Sequence, residues 1–192
     1  VRLVDHRTAE VADGMGGHVS GETASRLAGE TFASALADAA LGEIGDDLVN
    51  ALGAGNRALA DAIAADPGLD GMGTTLVGAV LAGERVSWIS VGDSLLLLVR
   101  NGAVSRLNAD HSLGAHMDEQ IRLGRASPAE APTRAQRNQL LSAVSGESIE
   151  LVEVAANAVR LEPMDVIVAA SDGLLTLDLG TLGRIVSEHG DA

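Results

Sequence analysis

Four short apolar or alternating segments follow one another in the middle of the sequence, and they restrict the available folds more than any other feature. They cover residues 74–81, 86–91, 95–99 and 104–107. Turns that contain glycine separate them, and Asn101-Gly102 between the last two is the strongest short-range signal for a β-hairpin. The pattern predicts an antiparallel β-meander.

Two amphipathic segments precede this region and predict a pair of helices. The first opens with Ser20, Glu22 and Thr23, which favour a helix N-terminus. The second follows Gly45 and ends at Pro67, because proline cannot continue a helix. Helical periodicity predicts one apolar stripe on each: Leu27, Thr31, Ala35 and Ala39 on the first, and Leu48, Leu52, Leu59 and Ile63 on the second.

The remaining segments complete an α+β pattern. Extended segments are predicted at residues 1–4, 10–12, 149–154 and 166–170, and helices at 120–124 and 182–189. A pair of helices is followed by runs of strands rather than by regular strand–helix alternation, so we expect helices packed on antiparallel sheets. A chain of 192 residues can bury one large core, which predicts a single domain.

Composition excludes several classes of protein. Hydrophobic residues make up 46% of the chain and aromatics only 1%, so the core must consist of Ala, Val, Leu and Ile. No apolar run reaches the ~20 residues of a membrane span, and no signal peptide is visible. Without cysteine there are no disulfides or thiolate metal sites. We expect a cytoplasmic protein without a nucleic-acid partner, because the net charge of −14 opposes binding to a phosphate backbone.

Three aspartates share one local setting. Asp13, Asp93 and Asp172 each lie just past a β-like run and beside a glycine. A strand end holds a carboxylate rigidly, and the glycine lets carbonyl oxygens and waters approach closely. Mg²⁺ and Mn²⁺ prefer such oxygen ligands, and a pair of these ions can activate water and neutralise a phosphate. The pattern suits metal-dependent phosphoester hydrolysis, but a single Asp-Gly pair is more often a plain turn, and the spacing of the three aspartates alone does not decide between these interpretations.

Five ordered motifs resemble those of one family. The sequence VADGMGGH at residues 11–18, followed by Gly21-Glu22, is similar to the signature of bacterial protein phosphatases of the 2C type, the metal-dependent (PPM) serine/threonine phosphatases. Further motifs of that family match in the same order: GTT at 73–75, VGDS at 91–94, DHS at 110–112 and ASDGL at 170–174. The resemblance extends over nearly the whole chain.

The resemblance implies a fold and a metal centre. The fold is an αββα four-layer sandwich, in which two antiparallel sheets lie between helices. Asp13 would bridge two metals, Gly14 would bind one of them through its carbonyl, and Asp172 would complete part of this centre. Asp93 and Asp172 would hold a third metal. Two to three Mn²⁺ or Mg²⁺ ions are therefore implied, with no protein residue as the nucleophile.

The resemblance also implies a reaction and a class of partner. A metal-bound water would attack the phosphorus of phosphoserine or phosphothreonine in proteins, which would be the substrates of a serine/threonine kinase. Residues 111–137 match the flap that borders the substrate cleft in this family. Arg134 and Arg137 of this segment could contact a substrate, although solvated surface is the more common position for such residues. The substrate-binding residues are left open.

The match is incomplete at both ends. The family carries an Arg and an Asn-Glu-Asp motif upstream of the first aspartate, and an Asp-Asn motif near the end. Neither has a counterpart, because Asp5 lies too close to Asp13, and Asp191 comes too early and is followed by Ala192. We therefore expect a single domain over residues 1–192 that lacks its N-terminal and C-terminal strands and binds metal weakly.

Two alternative functions follow from these observations. The missing motifs leave open a non-catalytic phosphatase-like module that binds or regulates a partner. The glycines at 14, 16 and 17 suggest a nucleotide-binding domain, but no Gly-Lys-Ser/Thr follows them and no βαβ period is present. This second alternative is the weaker of the two.

Other residues near the motifs have structural interpretations. His18 is expected to make a structural hydrogen bond, and His111 is expected to be a buried brace. Thr74 and Thr75 are expected to point inward near the site. Leu95 stands where the family commonly has Arg, which predicts altered surface contacts near Asp93.

Overall fold

The computed structural model describes residues 2–4, 8–16, 18–39, 43–155 and 159–189, and these form four α-helices and eleven β-strands. The helices are α1 (His18–Asp38), α2 (Ile44–Ala65), α3 (Leu113–Arg122) and α4 (Leu179–His189). The strands are β1 (Arg2–Val4), β2 (Thr8–Val11), β3 (Gly14–Met15), β4 (Gly73–Thr74), β5 (Leu76–Ala82), β6 (Arg85–Val91), β7 (Leu95–Arg100), β8 (Ala103–Arg106), β9 (Glu153–Val154), β10 (Val159–Arg160) and β11 (Val166–Ala170). Short 3₁₀ helices cover Pro67–Leu69, Pro128–Glu130 and Asp172–Thr176.

The strands form two main sheets, in which all pairs are antiparallel. The large sheet has the order β1-β2-β5-β6-β10, and β9 also pairs with β6. The small sheet has the order β11-β7-β8. Separately, the short strands β3 and β4 pair with each other.

Apolar side chains fill three layers between these elements. One layer lies between the large sheet and the helices α1 and α2, one lies between the two sheets, and one lies between the small sheet and α4. Examples in that order are Phe32 and Leu76, Val77 and Leu96, and Leu97 and Leu182. Three layers of core between four layers of backbone confirm the expected α+β, αββα four-layer sandwich.

The alternation of side chains along each strand produces these layers. In β5, Leu76 and Val80 face the helices, whereas Val77 and Ala79 face the small sheet. Successive residues of a strand point to opposite faces, so a strand between two apolar layers needs apolar residues at nearly every position. This requirement explains the continuous apolar runs of the sequence.

The predicted meander was wrong in one respect, because its strands belong to two sheets. Strands β5 and β6 form a hairpin in the large sheet, and β7 and β8 form a hairpin in the small sheet. The turn at residues 92–94 carries the chain from one sheet to the other. The Asn101-Gly102 hairpin is confirmed, since the two residues adopt positive φ values of 51° and 77°.

The two long helices differ in how well their faces were predicted. In α2, Leu48, Leu52 and Leu59 are buried as expected, and Ile63 is partly buried. In α1 the predicted stripe is only partly buried, and the fully buried line lies one position further along: Ala24, Ala28, Phe32 and Leu36. The wide apolar face of α1 permits either line, and packing of Phe32 into the first core layer selects the second.

Several predicted boundaries need correction. The segment at 74–81 is divided, because Thr75 leaves the ladder between β4 and β5. Helix α3 begins at Leu113 rather than at 120, since the Ser112 hydroxyl accepts a hydrogen bond from the Ala115 N–H and caps the helix. Only Glu153–Val154 of the predicted strand at 149–154 is paired, and the final helix begins at Leu179 rather than at 182.

Two further findings concern the bounds of the N-terminal strand and the apolar character of the helices. The N-terminal strand β2 extends over Thr8–Val11, earlier than the predicted 10–12, whereas Val1 of the predicted segment 1–4 lies outside the described residues. Among the residues described, no helix has both the length and the apolar character needed to cross a membrane.

Candidate metal centre and active site

The three aspartates of the sequence motifs lie at the same edge of the two sheets. Strand β2 ends where β5 begins, with Val11 opposite Val77, so Asp13 follows at that edge. Strand β11 ends where β7 begins, with Ala170 opposite Leu95. The residues just beyond this pair are Asp172 and, on the other strand, Asp93. Antiparallel register therefore gathers carboxylates that are far apart in sequence.

Thr75 joins the segment of Asp13 to that of Asp93. The Asp13 N–H donates to the Thr75 hydroxyl oxygen at 3.0 Å, and the Thr75 N–H donates to the Asp13 carbonyl at 3.0 Å. The Thr75 hydroxyl also lies 2.7 Å from the Ser94 hydroxyl. Thr74 and Thr75 are both buried, which confirms the expected inward orientation near the site.

Gly14 packs directly against the first turns of α1. A Cβ atom at Gly14 would lie 1.8 Å from the carbonyl oxygen of Gly21, which is far below any contact distance. Its backbone pairs with Thr74 across the β3–β4 ladder. Only glycine allows this approach of helix and strand, so the position next to Asp13 has a structural requirement in addition to any role of its carbonyl.

The turn that carries Asp93 is closely packed. Gly92 has a φ of +94°, and a Cβ atom there would lie 2.6 Å from the Thr75 methyl group. The side chain of Ser94 is fully buried, whereas Asp93 is half-buried. The turn therefore directs only the Asp93 carboxyl out of the protein, while its neighbours are held inside.

Arg106 and Asn108 hold the carbonyl groups of the same turn. Arg106 Nη2 donates to the Asp93 carbonyl at 2.9 Å, and its Nη1 lies 2.8 Å from a carboxylate oxygen of Asp110. Asn108 donates to the Ser94 carbonyl at 2.8 Å and accepts from the Leu96 N–H at 2.8 Å. These contacts satisfy buried backbone groups and fix the turn.

The aspartates interact electrostatically. Burial raises the pKa of the Asp93 carboxyl to about 6, and the negative charges of Asp172 and Asp110 act in the same direction. Burial and then the charge of Asp172 raise the pKa of the Asp13 carboxyl. The charge of Asp172 therefore acts on both of the other aspartates, which makes the three carboxylates one cluster.

A cleft of about 470 Å³ opens beside this cluster. Its lining includes Asp93 and Asp172, and also four polar residues to which the sequence reasoning gave no firm role at the site: Asp110, Ser112, Arg134 and Asn138. Asp110 and Ser112 belong to a motif that was recognised, so the motif was the signal that could have identified them. Arg134 and Asn138 come from a polar turn that carries no local signal.

The segment predicted as a flap, 111–137, is an excursion with its own structure. It contains α3, and its two ends are tied together, since Leu113 N–H donates to the Gln139 carbonyl and Gly114 N–H donates to the Arg137 carbonyl. Arg137 forms an ion pair with Asp118 of α3. The excursion therefore stands on one side of the cleft as an internally braced unit.

The carboxylates of Asp13, Asp93 and Asp172 supply only part of the ligand set that a hard divalent cation needs. Carboxylates that repel one another are the ligands expected for Mg²⁺ or Mn²⁺, and such ions keep several waters. Among the described residues, however, no three acidic or histidine side chains converge closely enough to hold an ion by themselves. The pairs Asp13–Asp172 and Asp93–Asp172 could each contribute to a site that backbone carbonyls and water complete.

Of the other residues with a predicted role, His111 and Leu95 are described by the structure, and several more are not. His111 is buried, as expected for a brace. Leu95 is also buried and packs in the layer against α4, so the expected effect on surface contacts was wrong. The side chain of His18 and all of Asp5, Gly17 and Asp191 lie outside the described residues.

A second cavity lies away from the aspartates. It has a volume of about 660 Å³ and is lined by residues at the other end of the small sheet, including Val99, Val166 and Arg184. Because Val99 and Val166 are at the opposite ends of β7 and β11 from Asp93 and Asp172, this cavity contains none of the three aspartates.

Comparison with known proteins gives a consistent result. The family model described as protein phosphatase 2C matches residues 2–186. Over 144 residues the chain is 35% identical to the serine/threonine protein phosphatase PstP of Mycobacterium tuberculosis, an alignment that covers 75% of this chain and 27% of PstP. The chain thus spans about a quarter of the length of that relative.

Solved structures are similar over most of this chain. The serine/threonine phosphatase of S. agalactiae superposes with a TM-score of 0.80 at 28% identity, covering 95% of this chain and 74% of the other. The catalytic domain of PstP in complex with 2 manganese ions superposes with a TM-score of 0.74 at 30% identity, covering 94% and 74%. With a family match over nearly its whole length, this chain belongs to the protein phosphatase 2C family.

Proposed function

We propose that this chain hydrolyses phosphoserine and phosphothreonine esters in proteins, and that Asp13, Asp93, Asp172 and the Gly14 carbonyl hold the divalent cations required. The observation that most supports the proposal is that the strand ends next to Asp13, Asp93 and Asp172 lie at one edge of the sheets, beside a cleft that Asp93 and Asp172 line. The serine/threonine specificity is supported by the names of the relatives.

Each residue has a separate role in this proposal. Asp13 and Asp172 hold the central ions, and Asp93 with Asp172 holds an accessory ion. Bound Mn²⁺ or Mg²⁺ supplies neutralisation of the phosphate charge and a lowered pKa of water. Thr75 and Ser94 keep the segments of Asp13 and Asp93 in register through their hydrogen bonds. Preorganised carboxylates of this kind need little rearrangement when cations and substrate bind.

Hydrolysis assays test the proposal. The chain should hydrolyse p-nitrophenyl phosphate and a phosphothreonine peptide in Mn²⁺ or Mg²⁺, and a chelator should abolish this activity. Asp13→Asn and Asp172→Asn should each lose nearly all of it, whereas Asp61→Asn, an exposed acid of α2, should retain it. Full activity in excess chelator, or in Asp13→Asn, would refute the metal mechanism.

The second candidate is a phosphatase-like module without catalysis. The observation that favours it is the lack of a closed three-ligand cluster among the described residues. Calorimetric titration with Mn²⁺ separates the two candidates, since the catalytic proposal requires saturable binding that Asp172→Asn weakens. A chain that binds no Mn²⁺ and hydrolyses neither ester would support the non-catalytic module.

A further inference from the structure

We propose that Arg134 binds the phosphate group of the substrate from the side of the cleft formed by residues 111–137. This inference rests on the proposed function and specifies its substrate-binding residue. Arg134 lines the same cleft of about 470 Å³ as Asp93 and Asp172, so a phosphate that occupies this cleft can contact Arg134.

Arg134 and Arg125 are the two arginines of the excursion without an ion pair among the described residues, and of these two Arg134 lines the cleft. Arg122 pairs with Glu119, and Arg137 pairs with Asp118, so the charges of both are neutralised within the excursion. In the described part of the chain no carboxylate lies within ion-pair distance of Arg134. Its charge is therefore available to an anion in the cleft.

Arg134 lines the cleft together with Asp93 and Asp172, but it forms no ion pair with either. A cleft lined by Asp93, Asp172 and an arginine without an ion pair can accept a dianion whose remaining charge is neutralised by cations at the aspartates.

The turn around Arg134 is ordered before any ligand binds. The Thr133 N–H and hydroxyl donate to the Gln136 side-chain oxygen at 3.1 and 2.8 Å. The N–H groups of Gln136 and Arg137 both donate to the Thr133 carbonyl. These bonds close the turn on both sides of Arg134, so binding a phosphate would order one side chain and not the loop.

Guanidinium chemistry suits this task. Its planar set of N–H groups can donate two parallel hydrogen bonds to one phosphate, and it stays charged at any pH of interest. An ammonium group at the same place would act only as a point charge. The specificity expected from Arg134 is therefore for the phosphate dianion itself, whichever peptide carries it.

The test combines kinetics with direct binding of inorganic phosphate. In the presence of Mg²⁺, Arg134→Ala should raise KM for a phosphothreonine peptide and the Kd for phosphate by roughly tenfold in parallel, with kcat within about twofold, since a charged hydrogen bond is lost from an exposed position. Arg134→Lys should recover part of the loss. Arg125→Ala is the matched control, because it removes an exposed arginine of the same excursion that does not line the cleft.

Each outcome has a distinct meaning. Equal effects of Arg134→Ala and Arg125→Ala on phosphate Kd would overturn the inference, and so would the absence of saturable phosphate binding by the unmodified chain. If the unmodified chain binds phosphate in an Arg134-dependent way but hydrolyses no ester, the proposed function fails while the phosphate site at Arg134 is supported.

Discussion

His111 and Gly92 exchange two hydrogen bonds at the base of the turn that carries Asp93. The His111 main-chain N–H donates to the Gly92 carbonyl at 3.1 Å, and the Gly92 N–H donates to His111 Nδ1 at 3.2 Å. Because Nδ1 accepts a hydrogen bond, the neutral imidazole must carry its proton on Nε2. The side chain therefore acts as an acceptor for a buried backbone group next to a proposed metal ligand.

Removing this acceptor should loosen the turn. His111→Ala leaves the buried Gly92 N–H without its partner, which should lower the free energy of unfolding by about 1–3 kcal/mol and weaken Mn²⁺ binding. His111→Asn offers an oxygen close to the position of Nδ1 and should recover part of both losses. Urea unfolding and calorimetry measure these effects, and His116→Ala on the exposed face of α3 is the control. Equal unfolding free energies and equal Mn²⁺ binding in the His111→Ala and His116→Ala variants would refute the bracing role of His111.

The burial of His111 predicts a dependence of stability on pH. Burial lowers the pKa of the His111 imidazole below its ordinary value of 6.5. The unfolded chain therefore takes up a proton before the folded protein does. The contribution of His111 is fully present above that ordinary value and declines as the pH falls below it. The His111→Asn variant should lose less stability than the unmodified chain over this range, as measured by urea unfolding at a series of pH values.

In the absence of metal, Asp93 should destabilise the folded protein as the pH rises, whereas His111 destabilises it as the pH falls. The pKa of Asp93 is raised from 3.8 to about 6, so the ionised carboxylate destabilises the folded protein above that pH, and this cost disappears below 3.8. In chelator at neutral pH, Asp93→Asn should be more stable than the unmodified chain by about 1–2 kcal/mol, a value reduced for partial exposure.

The advantage of Asp93→Asn should reverse when metal is present. Saturating Mn²⁺ stabilises the chain that binds it, and the variant should gain less. Urea unfolding with chelator and with Mn²⁺ measures both states, and Asp61→Asn should show neither effect. A variant that is less stable than the unmodified chain in chelator at neutral pH would contradict the raised pKa.

Arg106 should contribute far more to the free energy of unfolding than an arginine in a surface ion pair does. Arg106→Ala removes the donors to the Asp93 carbonyl and to Asp110, and should cost about 2 kcal/mol of unfolding free energy. The matched change Arg160→Ala breaks a pair with Glu84 whose side chains are 71% and 72% exposed, and should cost at most about 0.5 kcal/mol. Arg106→Lys keeps the charge but cannot make both contacts, so it should recover only part of the loss. Equal losses of unfolding free energy in Arg106→Ala and Arg160→Ala would contradict the stabilising role of the Arg106 hydrogen bonds.

Gly14→Ala should prevent correct packing of α1. The new Cβ atom would overlap the Gly21 carbonyl oxygen, so the helix and the β3 strand must separate, with a cost above about 3 kcal/mol. Gly21→Ala should be milder, because its Cβ atom would lie 2.9 Å from the Gly14 carbonyl group. Gly53→Ala in the middle of α2 is the control and should be neutral or slightly stabilising. Thermal unfolding of the three variants measures this order.

Local sequence was sufficient for features that depend on neighbouring residues. The hairpin at Asn101-Gly102 was predicted correctly because positive φ at both positions is a local property of those residues. The buried face of α2 was predicted correctly because helical periodicity places Leu48, Leu52 and Leu59 together whatever they pack against. The five motifs also identified the family before any tertiary contact was known.

The buried line of a helix and the sheet of a strand could not be predicted where two arrangements fitted the same apolar pattern equally well. The stripe of α1 was displaced by one position, and the meander was assigned to one sheet although the turn before Ser94 moves the chain to another. An apolar run is compatible with either sheet, and the partner strand decides between them. In the case of β7 that partner is β11, which begins more than sixty residues later in the chain.

The positions of three aspartates beside glycines at strand ends were predictable from local residues, because strand runs and turn residues are local signals. The tertiary structure brings these strand ends together at one edge, since antiparallel pairing of β2 with β5 and of β7 with β11 sets the register. It also decided which other residues join them. Arg106 and Arg134 reach the turn and the cleft through contacts between segments distant in sequence, and no local pattern encodes such contacts.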